Sequence, residues 1–220
     1  MNPNTSRETN GKKKNGHLAK SGVVLRRDGN VAAAGLHFPR WFTRPGVDPF
    51  SEVAWDTRSS VITNPDGSEV FRMDAVEVPA AWSQLATDIV ASKYFRKAGL
   101  SQAAPGTSGA ETSVKQVVHR IVHSIRTAGE KFGGYFATPE DADTFEAELK
   151  AILVKQVGAF NSPVWFNCGL YQEYGILGSG GNFRWDFDAS AVVETKNAFE
   201  YPQCSSCFIN SVKDSMSSIL

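Results

Sequence analysis

The sequence VKQVVHRIVHSI, residues 114–125, decides the class of fold because its apolar residues recur at helical spacing. A helix places all six of them on one face, and such a face needs a partner that buries it. The stretch therefore predicts a core-forming helix. The six residues are Val114, Val117, Val118, Ile121, Val122 and Ile125.

Two further helices are predicted, one on either side of this one. Pro79 has the position of a first-turn proline, and an apolar stripe of helical period follows it. Downstream, Thr138 is a candidate N-cap and Pro139 a first-turn residue. We expect all three helices to be architectural, with core-forming faces that hold no paired carboxylates. The two outer stripes are Trp82, Leu85, Ala86, Ile89, Val90 and Tyr94, and Phe145, Leu149, Ile152, Leu153 and Val157.

A β-hairpin near residues 60–72 is predicted ahead of the helices. Its turn, Asn64-Pro65-Asp66-Gly67-Ser68, is flanked by short β-like pieces. Residues 23–170 are thus expected to form a mostly helical N-terminal domain with one hairpin. The residues expected to anchor the irregular region around the hairpin to the core are Trp41, Phe42, Phe50 and Trp55.

The remaining segments show weaker sequence patterns for secondary structure. Residues 1–22 are polar, with a Lys12-Lys13-Lys14 run, and are interpreted as a disordered basic arm. Residues 171–200 are interpreted as a loop insertion, whose glycines at 178–181 lack the lysine of a phosphate loop. Residues 201–220 contain a predicted strand, Cys207 to Val212, and a helix start capped by Asp214. Because the chain stops soon afterwards, we expect a fragment or one half of a split protein.

Composition excludes several classes of partner. The chain has 220 residues, with 23 Lys and Arg against 23 Asp and Glu, so no net field favours nucleic acid or a membrane surface. No apolar run approaches the roughly 20 residues that span a bilayer. Three cysteines, an odd number, favour a reducing compartment over a disulfide framework. We expect a cytoplasmic protein.

Cys204 and Cys207 form a C-x-x-C pattern that leaves three interpretations open: a local redox pair, half of a zinc site, or one reactive thiol with a distant partner. In an extended strand, residues three apart lie roughly 10 Å apart. A disulfide needs Cα atoms within about 7 Å. The single reactive thiol is therefore favoured, and Cys168 and Cys204 are interpreted as inert packing thiols.

His119 and His123 have the i,i+4 spacing that a metal can use on a helix. No glutamate falls between them in the manner of the H-E-x-x-H motif. A solvated helix face is favoured, and we predict no metal site.

Ser205-Ser206-Cys207-Phe208-Ile209, together with Phe160-Asn161-Ser162-Pro163-Val164-Trp165-Phe166-Asn167, resembles the adenosylcobalamin-dependent, class II ribonucleotide reductases. The likeness runs from roughly Leu25 to Leu220. It implies a mainly α N-terminal domain that leads into the first strand of an α/β, ten-stranded barrel, truncated here. It also implies ribonucleotide reduction by thiyl-radical chemistry, adenosylcobalamin as cofactor and a thioredoxin-like dithiol as reductant.

The resemblance assigns roles to six positions. Cys207 corresponds to one of two redox cysteines, whose partner lies beyond Leu220. Ser162 and Ser206 correspond to residues that line the substrate site, where hydroxyls can bind ribose and phosphate. Asp214, Ser215 and Met216 correspond to the site of a nucleotide effector. The radical cysteine and most cobalamin contacts correspond to positions beyond Leu220, so the isolated chain is expected to be inactive.

Two rival functions remain at this point. One is a related reductase whose radical comes from an iron- or manganese-containing subunit. The other is a non-catalytic helical assembly module, or a pseudo-enzyme, that binds a separately encoded barrel chain. A homodimer is a further expectation of the resemblance.

Overall fold

A long helix, α2, organises the structure. The computed structural model describes residues 35–100, 109–132, 134–186, 188–207 and 213–219. The predicted arm 1–22 and nearly all of the predicted strand that starts at Cys207 lie outside these residues. The elements are β1 Trp55–Thr63, β2 Glu69–Pro79, α1 Gln84–Ile89, α2 Val114–Phe132, α3 Pro139–Val154, α4 Ser162–Asn167, α5 Leu170–Tyr174, β3 Asn182–Asp186, β4 Ala191–Thr195 and α6 Met216–Ile219, with a 3₁₀ turn at Pro49–Glu52 and a π-helical turn at Val90–Tyr94.

The apolar face of α2 forms the centre of the core, as its spacing predicted. Five of its six predicted residues are fully buried, and Ile125 packs partly buried beside them. The helix contacts α3, α4, α5 and β2, so its apolar stripe is covered on several sides. The packing of this buried face sets the positions of the elements around α2. The five are Val114, Val117, Val118, Ile121 and Val122.

The hairpin of β1 and β2 is antiparallel and longer than expected, reaching from Trp55 to Pro79. A register shift falls between Arg58 and Ser60, opposite Ala75, which has a φ of 57°. Pro79 ends β2, so its predicted place in the first turn of a helix is wrong. Proline fits a strand end because that position need not donate a ladder hydrogen bond.

Helix α1 instead begins at Gln84, where the Ser83 hydroxyl accepts from the backbone N–H of Ala86 at 3.1 Å. The apolar stripe predicted here is only partly correct. Leu85 is 69% exposed and Ile89 42% exposed, whereas Trp82, ahead of the helix, is buried. A serine cap can stop the helix from extending back to a proline because it satisfies the first free N–H groups.

Helix α3 starts as predicted, with Thr138 accepting from the backbone N–H of Asp141 and Pro139 in the first turn. Its buried face nevertheless contains three carboxylates, those of Asp141, Glu146 and Glu148, contrary to the prediction of faces without paired acids. Val157, expected on this stripe, lies beyond the helix and is 57% exposed.

Two of these carboxylates anchor the segment that precedes the hairpin. Glu148 accepts from the backbone N–H groups of Phe42 and Thr43 and from the Thr43 hydroxyl. Asp141 accepts from the backbone N–H of Phe38 at 2.8 Å. Trp41 is 80% exposed, so the predicted aromatic anchor is wrong at that position. Hydrogen bonds from the backbone to buried acids hold the segment instead.

The third carboxylate, Glu146, joins α3 to α2. Lys150 Nζ lies 2.6 Å from Oε1 and an Arg126 guanidinium nitrogen 2.8 Å from Oε2. Burial opposes ionisation of Glu146, but these hydrogen bonds and the nearby positive charges outweigh it and lower the pKa from 4.5 to about 2. A carboxylate held in this way stabilises the fold only while it is ionised.

Glu146→Gln is expected to lower the free energy of unfolding by about 1–2 kcal/mol at pH 7, allowing for solvent screening. Because the folded-state pKa is depressed, the native contribution is complete above about pH 4.5 and disappears as the pH falls towards 2. Urea unfolding at several pH values measures the free energy of unfolding of the unmodified chain and of the Glu146→Gln variant. A difference between them that stays constant from pH 7 to pH 2 would contradict the assignment.

The segment 171–200, expected as a loop insertion, contains the end of α5 and an antiparallel hairpin of β3 and β4. The alternation of Phe183 and Trp185 with polar neighbours is the strand signal that the loop interpretation passed over. Across the described residues the sheets are therefore two hairpins beside a group of helices, without a closed barrel. None of the helices in the described ranges is both long and apolar enough to cross a membrane.

Candidate functional site

The predicted redox region lies against helix α4. We call residues 201–207 the thiol segment. The Asn161 side-chain amide donates to the carbonyl of Cys204 at 2.9 Å, and the Asn167 amide donates to the carbonyl of Gln203 at 3.2 Å. One asparagine precedes α4 and the other ends it, so the two ends of a single helix hold the segment.

Asn161 is also the N-cap of α4, since its side-chain oxygen accepts from the backbone N–H of Val164. The helix begins at Ser162, with Pro163 in its first turn. Ser162 is therefore helical, although the residue before a proline usually avoids the helical region. A proline is accommodated in a first turn because its missing N–H would have no partner there.

Ser162 is half-buried and its hydroxyl lies 3.1 Å from the hydroxyl of Tyr94. Tyr94 itself is packed between two aromatic rings of α4, with centroid distances of 5.6 Å to Trp165 and 5.3 Å to Phe166. Trp165 is buried, whereas Phe166 is 43% exposed. The tyrosine thereby fixes the serine hydroxyl at the start of the helix.

Ser206 and Cys207 are exposed at the end of the thiol segment, with Ser206 Oγ 3.6 Å from Cys207 Sγ. The segment thus leaves the α4 surface just before the two residues that the sequence singles out. Exposed side chains of this kind are available to a substrate or to further protein.

Asp214, Ser215 and Met216 lie apart from this arrangement and are exposed. Helix α6 begins at Met216, two residues after Asp214, so the predicted N-cap role of Asp214 is wrong. Within the described part of the chain, no hydrogen bond joins these three residues to Ser162, Ser206 or Cys207. Ser162 thus begins α4, and Ser206 and Cys207 lie two and three residues after Cys204, whose carbonyl Asn161 binds.

A cleft of about 450 Å³ opens beside Tyr94 and α4. Its lining is basic, and burial lowers the pKa of Lys97, which donates to the Ala91 carbonyl. A concave, positively charged surface suits an anionic ligand. The lining residues are Lys93, Tyr94, Phe95, Arg96, Lys97, Ala98, Arg120, Phe166, Asn167 and Phe199.

A buried ion pair in the core supports the site. Arg120 Nε lies 2.7 Å from Glu111 Oε1, and the two side chains are 1% and 0% exposed. The hydroxyl of Tyr174 donates to the same carboxylate at 3.0 Å. We call Glu111, Arg120 and Tyr174 the Arg120 cluster. Sequence reasoning missed it, although an arginine beside a valine and isoleucine stripe was the available signal.

The Arg120 guanidinium also fixes the turn between α4 and α5. It donates to the carbonyl of Trp165 at 2.8 Å and to that of Cys168 at 2.6 Å. Gly169 follows with a φ of 80°, and a Cβ there would lie 2.1 Å from the Arg120 carbonyl oxygen. Only glycine fits this close approach without displacing the α2 backbone.

Cys168 and Cys204, which the sequence analysis took as separate inert thiols, are in contact. Their sulfur atoms lie 3.3 Å apart. The hydrogen bond with Cys168 lowers the pKa of Cys204 to about 7 against the opposing effect of burial. The same contact and burial raise the pKa of Cys168. No short-range sequence pattern links residues 168 and 204, so this pair was not predictable from spacing.

The two histidines of α2 stack on each other with ring centroids 5.1 Å apart. His119 lies 3.4 Å from Glu173, and His123 lies 3.4 Å from Glu146. Among the described residues, no group of three or more ligating side chains could hold a metal ion.

Comparison with known proteins defines the class. The profile of the family described as class II vitamin B12-dependent ribonucleotide reductase matches residues 56–156. The matched region runs from β1 through α3, which is the helical core and its first hairpin. The chain matches the N-terminal region of this family.

Individual relatives match most of the chain. The vitamin B12-dependent ribonucleotide reductase of Rhodopirellula baltica is 43% identical over 202 residues, which is 91% of this chain and 18% of the relative. That of Streptomyces clavuligerus is 43% identical over 196 residues, covering 89% and 17%. That of Agrobacterium fabrum is 38% identical over 209 residues, covering 82% and 16%. The chain thus spans less than a fifth of the length of these relatives.

The described residues do not by themselves fit a corrinoid. Two clefts in this part of the chain measure about 540 and 450 Å³, within the range of about 300–1,000 Å³ that suits ligands of ordinary size. A corrin ring with its nucleotide tail and adenosyl group is larger than such ligands. We therefore derive no step that involves the cofactor.

Proposed function

We propose that this chain forms the helical N-terminal part of a ribonucleotide reductase and supplies one of its redox thiols, Cys207. The carrying observation is the attachment of the thiol segment to α4, where Asn161 and Asn167 hold Cys204 and Gln203 a few residues ahead of Ser206 and Cys207. The names of the relatives support this activity and a dependence on adenosylcobalamin in the complete enzyme.

The proposed chemistry uses Cys207 as a proton and electron donor. Its thiol protonates the 2′-hydroxyl of the ribose, which leaves as water, and the carbon gains a hydrogen in its place. Two thiols lose two protons and two electrons in total, so Cys207 ends in a disulfide with a second cysteine. A thioredoxin-like dithiol returns that disulfide to two thiols by exchange.

Binding of the substrate is assigned to neutral donors and to the basic cleft. The hydroxyls of Ser162 and Ser206 can bind ribose and phosphate oxygens without adding a competing charge. The lysines and arginines that line the cleft beside α4 favour the phosphate groups. This division places uncharged groups near the reacting carbon and positive charge further away.

The remaining assignments follow from the same proposal. Asp214, Ser215 and Met216 are proposed to contact a nucleotide effector, for which their exposure leaves room. The three cysteines are free thiols, which supports a reducing, cytoplasmic setting. Barrel residues, from the same or a separate chain, and a second subunit are the proposed protein partners.

A chimera tests the proposal. This chain replaces the matching segment of the Rhodopirellula baltica relative, and deoxyribonucleotide formation is measured with adenosylcobalamin and a dithiol. Because 43% identity over 91% of the chain preserves the fold, turnover within about tenfold of the parent is expected. A folded chimera that binds nucleotide but gives no product would instead support the non-catalytic assembly module.

A further inference from the structure

Cys168 and Cys204 come from different parts of the fold and are both held in place. Cys168 caps the C-terminal end of α4, and its carbonyl accepts from Arg120 at 2.6 Å. Cys204 lies 36 positions later, and its carbonyl accepts from Asn161 at 2.9 Å. The two sulfur atoms, 3.3 Å apart, thus belong to two residues whose backbone carbonyls are each held by a hydrogen bond.

The two thiols differ sharply in access. Cys168 is 6% exposed and lies behind Gly169 and the α4–α5 turn. Cys204 is half-buried, so it is the more accessible of the two thiols. Its lowered pKa also gives Cys204 the larger fraction of thiolate near neutral pH. Cys204 is therefore suited to react first, with a reagent from solvent, and Cys168 is suited to react second, from the buried side.

We propose that Cys168 and Cys204 form a reversible disulfide when the protein meets a low-molecular-weight disulfide, and that this bond ties the thiol segment covalently to the helical core. The geometry of the pair carries the inference, which is independent of the proposed catalytic function. The contact needs only closure from 3.3 Å to the roughly 2.05 Å of a sulfur–sulfur bond.

The reaction proceeds in two exchanges. The Cys204 thiolate attacks one sulfur of the small disulfide, forms a mixed disulfide and releases one small thiolate. The Cys168 thiol then gives up its proton to that thiolate and attacks Cys204 Sγ, which releases the second small thiolate. In total, two protein thiols become one disulfide and one small disulfide becomes two small thiols.

The competing local bond, Cys204 to Cys207, is disfavoured by the same contacts. Cys204 Sγ faces Cys168, while Cys207 is exposed beyond Ser206 and contacts the Ser206 hydroxyl. The C-x-x-C spacing in the sequence therefore does not describe the nearest pair of thiols. The pair in space is formed across 36 positions of the chain.

Oxidised glutathione tests the proposal on the 220-residue chain, with a Cys207→Ser background to remove the exposed thiol. Tryptic digestion places Cys168 in peptide 156–184 and Cys204 in peptide 197–213. We expect these two peptides to become linked, the protein mass to fall by about 2 Da as two hydrogens leave, and dithiothreitol to reverse both changes.

Two single variants in the same background separate the roles of the thiols. With Cys168→Ser, the mixed disulfide between glutathione and Cys204 is expected to persist because no second thiol can displace it. With Cys204→Ser, Cys168 is expected to react at least about tenfold more slowly than Cys204 does. Thermal unfolding of each variant verifies that the fold is retained.

Two results would overturn the proposal. The first is a folded Cys207→Ser chain in which Cys204 stays glutathionylated while Cys168 is still present. The second is equal reactivity of Cys168 and Cys204 in the single variants. Neither result depends on reductase activity, so failure of the disulfide and failure of the proposed function remain distinguishable.

Discussion

Replacing Cys207 with serine in the chimera is expected to lower steady-state turnover with a dithiol reductant by at least about 10³-fold. Serine keeps the size of the side chain but neither supplies electrons nor forms a disulfide. Because Cys207 is exposed and contacts only the neighbouring Ser206 hydroxyl among the described residues, its loss should leave the fold intact. The measurement is deoxyribonucleotide formed per enzyme under multiple-turnover conditions, with nucleotide binding followed in parallel.

Cys204→Ser is the matched control, since it removes a thiol three residues away. We expect it to retain most of the turnover, because Cys204 faces Cys168 rather than the exposed end of the thiol segment. Equal losses from the two substitutions would restore the local C-x-x-C pair as the redox couple. That outcome would also remove the assignment of Cys207 as a lone donor.

Arg120→Met is expected to lower the free energy of unfolding by about 3–5 kcal/mol. Methionine fills similar space but leaves Glu111 as a carboxylate with 0% exposure that has lost its ion-pair partner. It also removes the donors to the carbonyls of Trp165 and Cys168, which stay buried. The loss of these partners, rather than of the ion pair itself, accounts for most of the effect.

Chemical denaturation measures this loss, and two further variants show its origin. Arg126→Met, on the same helix but with a side chain 21% exposed, is expected to cost about 1 kcal/mol. Adding Glu111→Leu to Arg120→Met should recover part of the stability because it removes the unpaired charge. An Arg120→Met chain no less stable than Arg126→Met would show that Glu111 is not buried as described.

The parts of the fold that periodicity controls were predictable. The α2 stripe follows a 3.6-residue period, and the Thr138-Pro139 start of α3 carries its own cap. Pro79 was misassigned because one residue type serves both a strand end and a helix start, and local sequence does not separate them. The β3–β4 hairpin was missed because its strands are short and follow a glycine-rich stretch.

The candidate site was likewise predictable only in part. Ser162, Ser206 and Cys207 are predicted through resemblance, which carries information that spacing does not. The contacts around them join residues far apart in sequence, such as Asn161 with Cys204 and Arg120 with Cys168. Such pairs depend on how helices pack, and a single sequence contains no local signal for that packing.

The thiol segment is held by side chains of α4 and not by a strand or a helix of its own. Asn161 and Asn167 can release Gln203 and Cys204 while every backbone hydrogen bond of α4 stays in place. Local opening of this kind costs far less than unfolding the core. In hydrogen exchange, the amides of residues 203–207 should therefore exchange long before those of α2. The segment can thus detach and rebind while the helical core stays folded.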